Sequence, residues 1–363
     1  MLVIVGGGFA GLEAAVQIRT LRPSREVALI TAGPSLVYKP WLIYVPAGRR
    51  RFAEVCIPLA PLAARYGFQL IDDRVDQIDL DARRVGLAKG RVIDYSQLLL
   101  ATGADADRNR IPGADQHAFF PCQPDDAEKF AVEVHRRMPK RICVAVGWDR
   151  RGPGLEFAGW LATRRKRLGA ADMEVVVVDG DGLLADHYGA EAMAAIRSAL
   201  MRAGATWSTE SGLNEVTASG AVVGGKDTAF DLVAIVAPLC GVNVGLPVDM
   251  LDDRGFIRVD ESFATTRPGI FAFGDAAALP SKVATGKTMV SIRQRVAHLA
   301  SNMLADMDGE PLKPLEPTVA PHRSMANIGG HAILLRDNRV IGQGRMPLLR
   351  RWLYDQSYFR LRS

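Results

Sequence analysis

Three glycines near the start of the chain have the spacing of a phosphate-binding turn. Gly6, Gly8 and Gly11 stand in the stretch GGGFAG, directly after the apolar run LVIV. In the pattern G-x-G-x-x-G the first glycine permits a tight turn, the second lets the backbone reach a pyrophosphate, and the third lets a helix pack on a strand. The pattern predicts a dinucleotide site, with a purely structural glycine turn as the alternative. No acidic residue follows the next apolar run, ALI, so we expect Thr31 or a backbone group to hold the ribose.

Two further polar turns follow apolar runs later in the chain. Thr102 and Gly103 stand in ATG after the run LLL, and Gly274 and Asp275 stand in FAFGDAA. The carboxylate of Asp275 can accept a hydrogen bond from a polyol hydroxyl, and the helix start beside it can face a pyrophosphate. For Asp275 taken alone, a helix-capping role is the alternative.

A second strand–turn–helix pattern, RICVAVGWDRRGPGLEFAGWLA, lacks the glycines of the first. Asp149, Arg150 and Arg151 occupy the turn, where a phosphate cradle needs close backbone approach. We predict that Asp149 and Arg151 fill the space of a pyrophosphate. Asp179 ends the next apolar run, at the place of a ribose-binding acid. The pattern therefore predicts a nucleotide-binding fold whose phosphate cradle is lost.

The elements that must position these turns form two predicted βαβ units. Apolar runs predict strands over LVIV, EVALI, RVIDYSQLLL, RICVAV, MEVVVVD, DLVAIVAP and GIFAF. Helices are predicted from the first glycine turn to about Leu21, after GPG, and over SIRQRVAHLASNMLADM, with a hairpin over IGGHAILLRDNRVIGQGR. We therefore expect an α/β fold with two Rossmann-like domains and a small C-terminal region of β-hairpin and helix.

Composition excludes several classes of protein. The net charge of +5 over 363 residues is too weak to indicate nucleic acid, but it is compatible with an anionic cofactor or membrane surface. The four cysteines are far apart and the six histidines form no HxxxH pair, so neither a disulfide scaffold nor a metal site is predicted. The chain opens on an apolar strand without a secretory signal, and no apolar run is long enough to span a membrane. We therefore expect a cytoplasmic location, with surface attachment to a membrane left open.

The order of the three polar turns resembles that of flavoproteins with two dinucleotide domains. Together with LVYKPWLIYVPAG, FAEVCIPLAPLAARYGFQLIDDRVDQIDLDARRV and KTMVSIRQRVAHLASN, it resembles the pyridine nucleotide-disulfide oxidoreductase superfamily. Within it, the resemblance is to the branch of sulfide:quinone oxidoreductases, flavocytochrome c sulfide dehydrogenases and type II NADH dehydrogenases, and it covers nearly the whole chain. It implies an FAD-binding domain over 1–113 and 245–318, a second Rossmann-like domain over 114–244, and a C-terminal region over 319–363.

The resemblance also implies roles for individual residues. A cation at Lys287 would lie beside the isoalloxazine and stabilise the anionic reduced flavin, with an ordinary surface lysine as the alternative. Gln294 would lie on the helix that faces the quinone. The residues implied in cofactor binding are Gly6, Gly8, Gly11, Thr31, Val75, Thr102, Gly103, Gly274, Asp275, Lys287 and Gln294.

The chain departs from this branch at the redox cysteines that sulfide oxidation uses. Cys122 stands at one of these positions, but Arg150 takes another, and Ser324 or Met325 the third. Without a partner thiol, Cys122 cannot run a two-cysteine mechanism, so it is either a lone nucleophile or a small buried residue. Glu156 matches a position near the flavin and quinone and is a candidate acid or base, with an ordinary helix glutamate as the alternative.

The C-terminal stretch GRMPLLRRWLYDQSYFRLRS is predicted to form a basic amphipathic helix. The apolar residues that can share one helical face are Leu348, Leu349, Trp352, Leu353 and Phe359. The arginines that outnumber the single Asp355 are Arg345, Arg350, Arg351, Arg360 and Arg362. Apolar bulk beside arginines is typical of a helix at a membrane surface, and a helix docked on the protein's own core or on a dimer partner is the alternative.

These observations lead to one preferred hypothesis and three alternatives. The preferred hypothesis is an FAD enzyme, peripheral on the cytoplasmic face of a membrane, that passes electrons from an unidentified small donor to a quinone. The first alternative is a type II NADH:quinone reductase with an unusual loop. The others are a flavin-binding protein without turnover, such as a redox sensor or assembly partner, and a soluble biosynthetic flavoenzyme.

Overall fold

The computed structural model describes residues 1–165, 167–283, 287–317 and 323–362, without the side chains at positions 149, 323 and 360–362. The strands are β1 (Leu2–Val5), β2 (Val27–Thr31), β3 (Ser35–Val37), β4 (Cys56–Pro58), β5 (Gln69–Asp72), β6 (Val75–Asp79), β7 (Arg84–Leu87), β8 (Val92–Asp94), β9 (Gln97–Leu100), β10 (Ala104–Ala106), β11 (Ala118–Phe119), β12 (Arg141–Val146), β13 (Glu174–Asp179), β14 (Ala205–Ser211), β15 (Leu213–Thr217), β16 (Gly220–Val223), β17 (Lys226–Ala229), β18 (Leu232–Ile235), β19 (Leu239–Gly241), β20 (Ile257–Arg258), β21 (Ile270–Ala272), β22 (Ala277–Ala278), β23 (Arg323–Ile328), β24 (His331–Arg336) and β25 (Arg339–Gly344). The helices are α1 (Phe9–Leu21), α2 (Lys39–Leu42), α3 (Ala60–Tyr66), α4 (Ala114–His117), α5 (Pro124–Arg137), α6 (Arg151–Arg164), α7 (Leu184–Ala203), α8 (Met289–Met307) and α9 (Met346–Arg362).

The first parallel sheet brings the predicted cofactor turns to one edge. Its five strands run in the order β21-β9-β1-β2-β5, and every neighbouring pair is parallel. Buried Val, Leu and Ile dominate β1, β2 and β9, as expected for strands that are covered on both faces. Because parallel strands end at the same edge, the turns after β1, β9 and β21 meet there, and this edge is where α/β sheets bind ligands.

The second parallel sheet repeats this arrangement. Its order is β11-β18-β12-β13-β14, and all of its pairs are parallel. The turn that follows β12 leads into α6, and Asp179 ends the neighbouring strand β13. The predicted α/β class with parallel sheets is therefore confirmed. The division into domains stays a prediction, and its last boundary, between 318 and 319, lies outside the described residues.

One prediction of local structure was wrong, whereas the predicted C-terminal hairpin is confirmed. RVIDYSQLLL forms two strands, because β8 joins the antiparallel sheet β6-β7-β8 while β9 joins the first parallel sheet. Burial explains the break, since β8 alternates between exposed and buried residues and β9 is buried throughout. The predicted C-terminal hairpin is the β24–β25 half of a three-stranded antiparallel sheet that also contains β23. This sheet packs on α6 and α7.

Candidate functional site

The first glycine turn is shaped for close backbone approach by a ligand. Gly6 has a φ of 114°, and a Cβ there would lie 2.2 Å from the carbonyl oxygen of Ala101. A Cβ on Gly11 would lie 1.9 Å from the carbonyl oxygen of Gly6, so α1 packs directly on the turn. At Gly8, by contrast, no atom of the described residues lies within 4 Å of such a Cβ. Gly8 is the N-cap of α1 and has no side chain to cap it, which leaves the first backbone N–H groups of the helix to a phosphate.

The turns after β21 and β9 contact the same helix start. A Cβ on Gly274 would lie 2.5 Å from the Cβ of Ala10, so the turn that carries Asp275 packs on the first turn of α1. The Thr102 Oγ1 is buried and makes no hydrogen bond to any described residue. A buried polar atom without a partner is costly, and a polyol or phosphate would satisfy it. The residues of this edge therefore fit a dinucleotide that carries a polyol.

Thr31 ends β2 and Val75 begins β6, and the geometry of neither residue points to ribose binding. The Thr31 hydroxyl donates to the carbonyl of Gly33 at 3.2 Å and lies against Gly7, where a Cβ would be 2.3 Å from its oxygen. Val75 begins β6 and is half-buried. Their assignment to the cofactor stays a prediction.

Lys287 anchors the Asp275 turn. Its Nζ donates to the carbonyl of Asp275 at 2.6 Å and to that of Ala277 at 3.0 Å, and it lies 3.9 Å from the ring centre of Phe256. Together with Gly274 and Asp275 it lines a cleft of about 250 Å³. Gln294 is exposed on α8 and does not line this cleft, so the structure does not bring it to the other cofactor residues.

The turn after β12 is closed by its own side chains. The Trp148 indole lies on Gly180, where a Cβ would be 2.3 Å from the ring. The backbone N–H of Trp148 donates to Asp181 Oδ2 at 2.7 Å, and Arg151 pairs with the same carboxylate at 3.6 Å. The prediction that the turn is obstructed thus agrees with the geometry at Arg151, whereas the Asp149 side chain lies outside the described residues. Sequence reasoning missed Trp148, although an aromatic residue directly after the first glycine of such a turn was a signal.

Asp179 is engaged by its own turn. It is 8% exposed and accepts hydrogen bonds from the backbone N–H groups of Gly182 at 3.0 Å and Leu184 at 3.1 Å. Burial raises the pKa of this carboxyl. A ribose-binding acid has to present free oxygens to the ligand. Asp179 lies at the position of such an acid, but its two oxygens accept hydrogen bonds from its own turn.

Cys122 is a buried thiol. It is 7% exposed, and burial raises its pKa although the charges of Arg150 and Lys39 act in the opposite direction. The thiol is therefore protonated at neutral pH. Ser324, in β23, pairs with Leu335 of β24, and Met325 follows it in the same strand. Lys39, which sequence reasoning did not single out, begins α2 directly after the loop that follows β3.

Comparison with known proteins establishes the family. The model of the pyridine nucleotide-disulphide oxidoreductase family matches residues 1–302. The chain belongs to this family. It is 28% identical over 172 residues to a sulfide-quinone reductase of Aquifex aeolicus, a match that covers 46% of this chain and 40% of that protein's length. It is also 27% identical over 335 residues to rhodocoxin reductase of Rhodococcus erythropolis, covering 85% of this chain and 72% of that one.

A solved structure has the same fold. The sulfide:quinone oxidoreductase of Aquifex aeolicus superposes with a TM-score of 0.82 at 20% identity, covering 98% of this chain and 90% of that one. Another relative is the alternative NAD(P)H-ubiquinone oxidoreductase C1 of Arabidopsis thaliana, 27% identical over 154 residues, which are 38% of this chain and 29% of that protein. The resemblance read from the sequence is confirmed, and this pyridine nucleotide-disulphide oxidoreductase is an FAD-dependent oxidoreductase whose donor and acceptor need separate arguments.

In this family member Glu156 is a buried junction between elements. It is 4% exposed, and its Oε1 accepts from the Tyr44 hydroxyl at 2.6 Å and from Asn327 Nδ2 at 3.0 Å. Its Oε2 accepts from the Arg351 guanidinium at 2.8 Å. Burial beside this carboxylate raises the pKa of Tyr44. These contacts favour the alternative that Glu156 is structural, and sequence reasoning missed all three partners because they come from distant segments.

The C-terminal helix α9 docks on the oxidoreductase through its polar and aromatic face. Asp355 accepts from the Tyr38 hydroxyl at 2.8 Å and from Trp41 Nε1 at 3.0 Å. The Tyr358 hydroxyl donates to Glu13 at 3.1 Å, and Phe359 stacks on Trp41 at 4.3 Å. Phe359 therefore packs against the protein itself, so this part of α9 fits the alternative of a helix docked on the protein's own core.

The other side of α9 remains exposed. Leu349, Trp352 and Leu353 are 51%, 51% and 53% exposed, respectively, while Leu348 lines a small cleft beneath the helix. The side chains of Arg360 and Arg362 lie outside the described residues. Within the described ranges, no helix is both long enough and apolar enough to cross a membrane.

Proposed function

We propose that this chain is an FAD-dependent oxidoreductase that passes electrons from a small donor, other than NADH, to a quinone. The observation that carries the proposal is the contrast between the two nucleotide turns. The first turn is open at Gly8, whereas the second is closed by Trp148 and the Arg151–Asp181 pair. The sulfide-quinone reductase among its relatives supports a small donor and a quinone acceptor.

The residues of the first sheet edge would hold FAD. The N-terminus of α1 at Gly8 would bind the pyrophosphate, and Asp275 and Thr102 would bind hydroxyl groups of the polyol chain. When bound, FAD supplies the capacity to take up an electron pair from one substrate and pass it to another. Lys287 holds the Asp275 turn in place through its two backbone contacts.

The second turn argues against NADH as the donor. A nicotinamide dinucleotide needs its pyrophosphate at the start of α6 and its ribose at the end of β13. Trp148 covers Gly180 between these two points, and Asp179 is committed to the backbone of its own turn. NADH would have to displace the indole and break the Arg151–Asp181 pair.

The test is anaerobic reduction of the FAD-loaded protein, followed through the visible absorbance of the flavin. We expect no rapid bleaching by NADH and bleaching by at least one small reductant among sulfide and thiols. Reoxidation by a soluble quinone analogue at a catalytically useful rate completes the cycle. Saturable NADH binding with a micromolar dissociation constant, a binding free energy of about 8 kcal/mol, would instead support the alternative of an NADH:quinone reductase. Failure of every donor, or of the quinone, would favour a flavin-binding protein without turnover.

We also propose that the exposed side of α9 rests on an anionic membrane surface, where quinones are dissolved. Leu349, Trp352 and Leu353 project from it, and the arginine run 49–51 lies close by, since Arg49, Arg50 and Trp352 line the same cleft beneath the helix. Apolar side chains and arginines together bind anionic bilayers.

Flotation with vesicles of anionic and of neutral lipid tests this surface. The wild type should float with the anionic vesicles, and a Trp352→Ser/Leu353→Ser variant should bind at least ten-fold more weakly. Val248→Ser is the matched control, because Val248 is 85% exposed and lies outside α9. Equal flotation of all three proteins, or none, would contradict the proposal.

A further inference from the structure

A cleft beneath α9 contains two arginines that form no ion pair with any described residue. The cleft has a volume of about 120 Å³, and the charged residues in its described wall are Arg49, Arg50, Arg351 and Asp355. Arg351 is compensated, because it pairs with Glu156 at 2.8 Å and with Asp355 at 3.8 Å. The side chains of Arg49 and Arg50 also donate no hydrogen bond to a described residue. Positive charge is therefore in excess in this cleft.

Aromatic rings hold both of these guanidinium groups in place. The Cζ of Arg49 lies 3.9 Å from the ring centre of Trp160 and 4.8 Å from that of Tyr44. The Cζ of Arg50 lies 3.7 Å from the ring centre of Trp41. Contact with an aromatic face stabilises an arginine as a cation, and it uses none of the N–H groups of the guanidinium. These N–H groups can therefore donate to an oxyanion, which arginine binds through two parallel hydrogen bonds.

The backbone that carries the two arginines is fixed as well. The carbonyl oxygen of Tyr44 accepts hydrogen bonds from the backbone N–H groups of Arg49 at 2.8 Å and Arg50 at 3.2 Å. The carbonyl of the preceding Gly48 accepts one from the Arg164 guanidinium at 2.6 Å. Arg49 is exposed and Arg50 is half-buried, so a ligand can reach both from solvent. Because both residues are already in position, binding does not have to order this loop.

The cleft contains more donors than acceptors. Burial and the positive charge of Arg49 lower the pKa of Arg50, so the two cations repel each other. Trp160, in the same wall, has a buried Nε1 that makes no hydrogen bond to any described residue. Donors at such a site normally have partners. A phosphomonoester supplies three acceptor oxygens and about 1.5 to 2 negative charges at pH 7, which match the two uncompensated cations.

The size of the cleft and its surroundings narrow the choice of ligand. Pockets that enclose a whole small-molecule ligand measure about 300–1,000 Å³, so a cleft of about 120 Å³ fits a small charged group. Trp352 lines the cleft and is 51% exposed, and Leu349 and Leu353 project from the same helix. An apolar surface therefore borders the charged one, as the headgroup and the acyl chains of a lipid require.

We propose that Arg49 and Arg50 form a binding site for a phosphomonoester group in the cleft beneath α9, and that this group is the headgroup of a membrane lipid. The first statement stands on the cleft alone. The second rests on the proposed contact of α9 with a membrane, which would bring the acyl chains of the lipid beside Trp352.

Calorimetric titration of the FAD-loaded protein with glycerol 3-phosphate, at constant ionic strength, tests the site. Bound FAD keeps the phosphate away from the first glycine turn. The wild type should show saturable binding, and Arg49→Gln and Arg50→Gln should each weaken it at least ten-fold. Arg51→Gln is the matched control and should bind like the wild type, because Arg51 belongs to the same run but is 85% exposed and does not line the cleft.

Retention of FAD and an unchanged melting temperature show that each variant is folded. The absence of saturable binding by the wild type would overturn the site. So would equal affinity in the wild type, Arg49→Gln and Arg50→Gln, or an equal loss in Arg51→Gln, which would indicate attraction to surface charge alone. Neither vesicles nor electron transfer enter this titration, so its result is independent of the tests of the proposed function.

The source of the phosphate is tested with lysophosphatidic acid below its critical micelle concentration. It carries the headgroup of glycerol 3-phosphate and adds one acyl chain. We expect it to bind the wild type at least ten-fold more tightly than glycerol 3-phosphate, and to lose at least ten-fold in affinity in Arg50→Gln. Equal affinity of the two compounds for the wild type would assign the site to soluble phosphate esters and overturn the assignment to a lipid.

Discussion

The two strand–turn–helix units of the chain pack their helix on their strand in the same way, but their turns differ. Both helices carry Gly-Leu-Glu near their N-termini, at 11–13 in α1 and at 154–156 in α6. In both, the glycine packs tightly, since a Cβ on Gly11 would meet the Gly6 oxygen at 1.9 Å and one on Gly154 would meet Val146 at 2.6 Å. The first turn is open at Gly8, whereas Trp148 covers the second. Packing of a helix on a strand and binding of a phosphate are therefore separable properties of this motif.

The glutamates of the two units also share a role. Glu13 is 6% exposed and Glu156 is 4% exposed, and both contact α9, the former through Tyr358 and the latter through Arg351. The C-terminal helix thus ties together the starts of α1 and α6. A unit whose turn is closed to phosphate is therefore retained as a support of α9.

The largest expected effect comes from blocking the open turn. Gly8→Asp places a carboxylate at the N-cap of α1, where it stabilises the helix but repels a pyrophosphate. We expect FAD affinity to fall at least a thousand-fold, about 4 kcal/mol, while the apoprotein stays folded. Gly152→Asp is the matched change in the second unit and should retain FAD. Flavin content measures FAD binding and circular dichroism measures folding in both variants. Equal loss of FAD in the two variants would show that the two turns do not differ in cofactor binding.

The next effect concerns the glutamate of the second unit. Glu156→Ala removes the nearer of the two buried carboxylates that pair with Arg351 and leaves Tyr44 without its acceptor, so we expect the free energy of unfolding to fall by about 3 kcal/mol. Urea denaturation measures this. Asp94→Ala, which removes an exposed ion pair with Arg84, should leave the stability unchanged. If Glu156→Gln were fully stable yet lost electron transfer to quinone, Glu156 would be an acid or base after all.

A smaller effect is expected from opening the closed turn. Trp148 has a φ of 52°, so Trp148→Gly relieves backbone strain while it removes the indole from Gly180. With Arg151→Gly added, we expect weak NADH binding and unchanged FAD content. The dissociation constant for NADH should be about 1 mM, a binding free energy of about 4 kcal/mol. Asp149→Gly/Arg151→Gly keeps the indole and should bind NADH more weakly still. Calorimetric titration decides between them, and saturable binding by the wild type would show that the turn was never closed.

The smallest effect belongs to Asp179. Because its pKa is raised above the ordinary 3.8, its contribution to stability is full below that pH and is lost as the pH rises through the raised value. Asp179→Asn does not titrate there. The stability of the wild type relative to this variant should therefore fall as the pH rises above 3.8. An increase over the same range in urea denaturation would mean that the carboxylate is stabilised as the anion, as a ligand-binding acid would be.

Several parts of the fold were predictable because they depend on neighbours in sequence. The glycine turn at 6–11 and the boundaries of β1, α1 and β2 follow from local backbone geometry and from the period of apolar residues. The break between β8 and β9 was not predictable in this way, because RVIDYSQLLL is apolar enough to be one strand. Its two halves separate only because they pair with different sheets.

The sequence by itself determined the two βαβ units, the open first turn, the obstructed second turn and the family, since each depends on the types of residue within a short window. The tertiary structure alone decided which side chain closes the second turn, which distant residues surround Glu156, and which face of α9 is buried. These outcomes depend on contacts between distant segments: Trp148 meets Asp181 across 33 positions, and Tyr358 meets Glu13 across 345. A window of sequence carries no information about such distances, because the path of the chain between the two ends is set by the packing of everything between them.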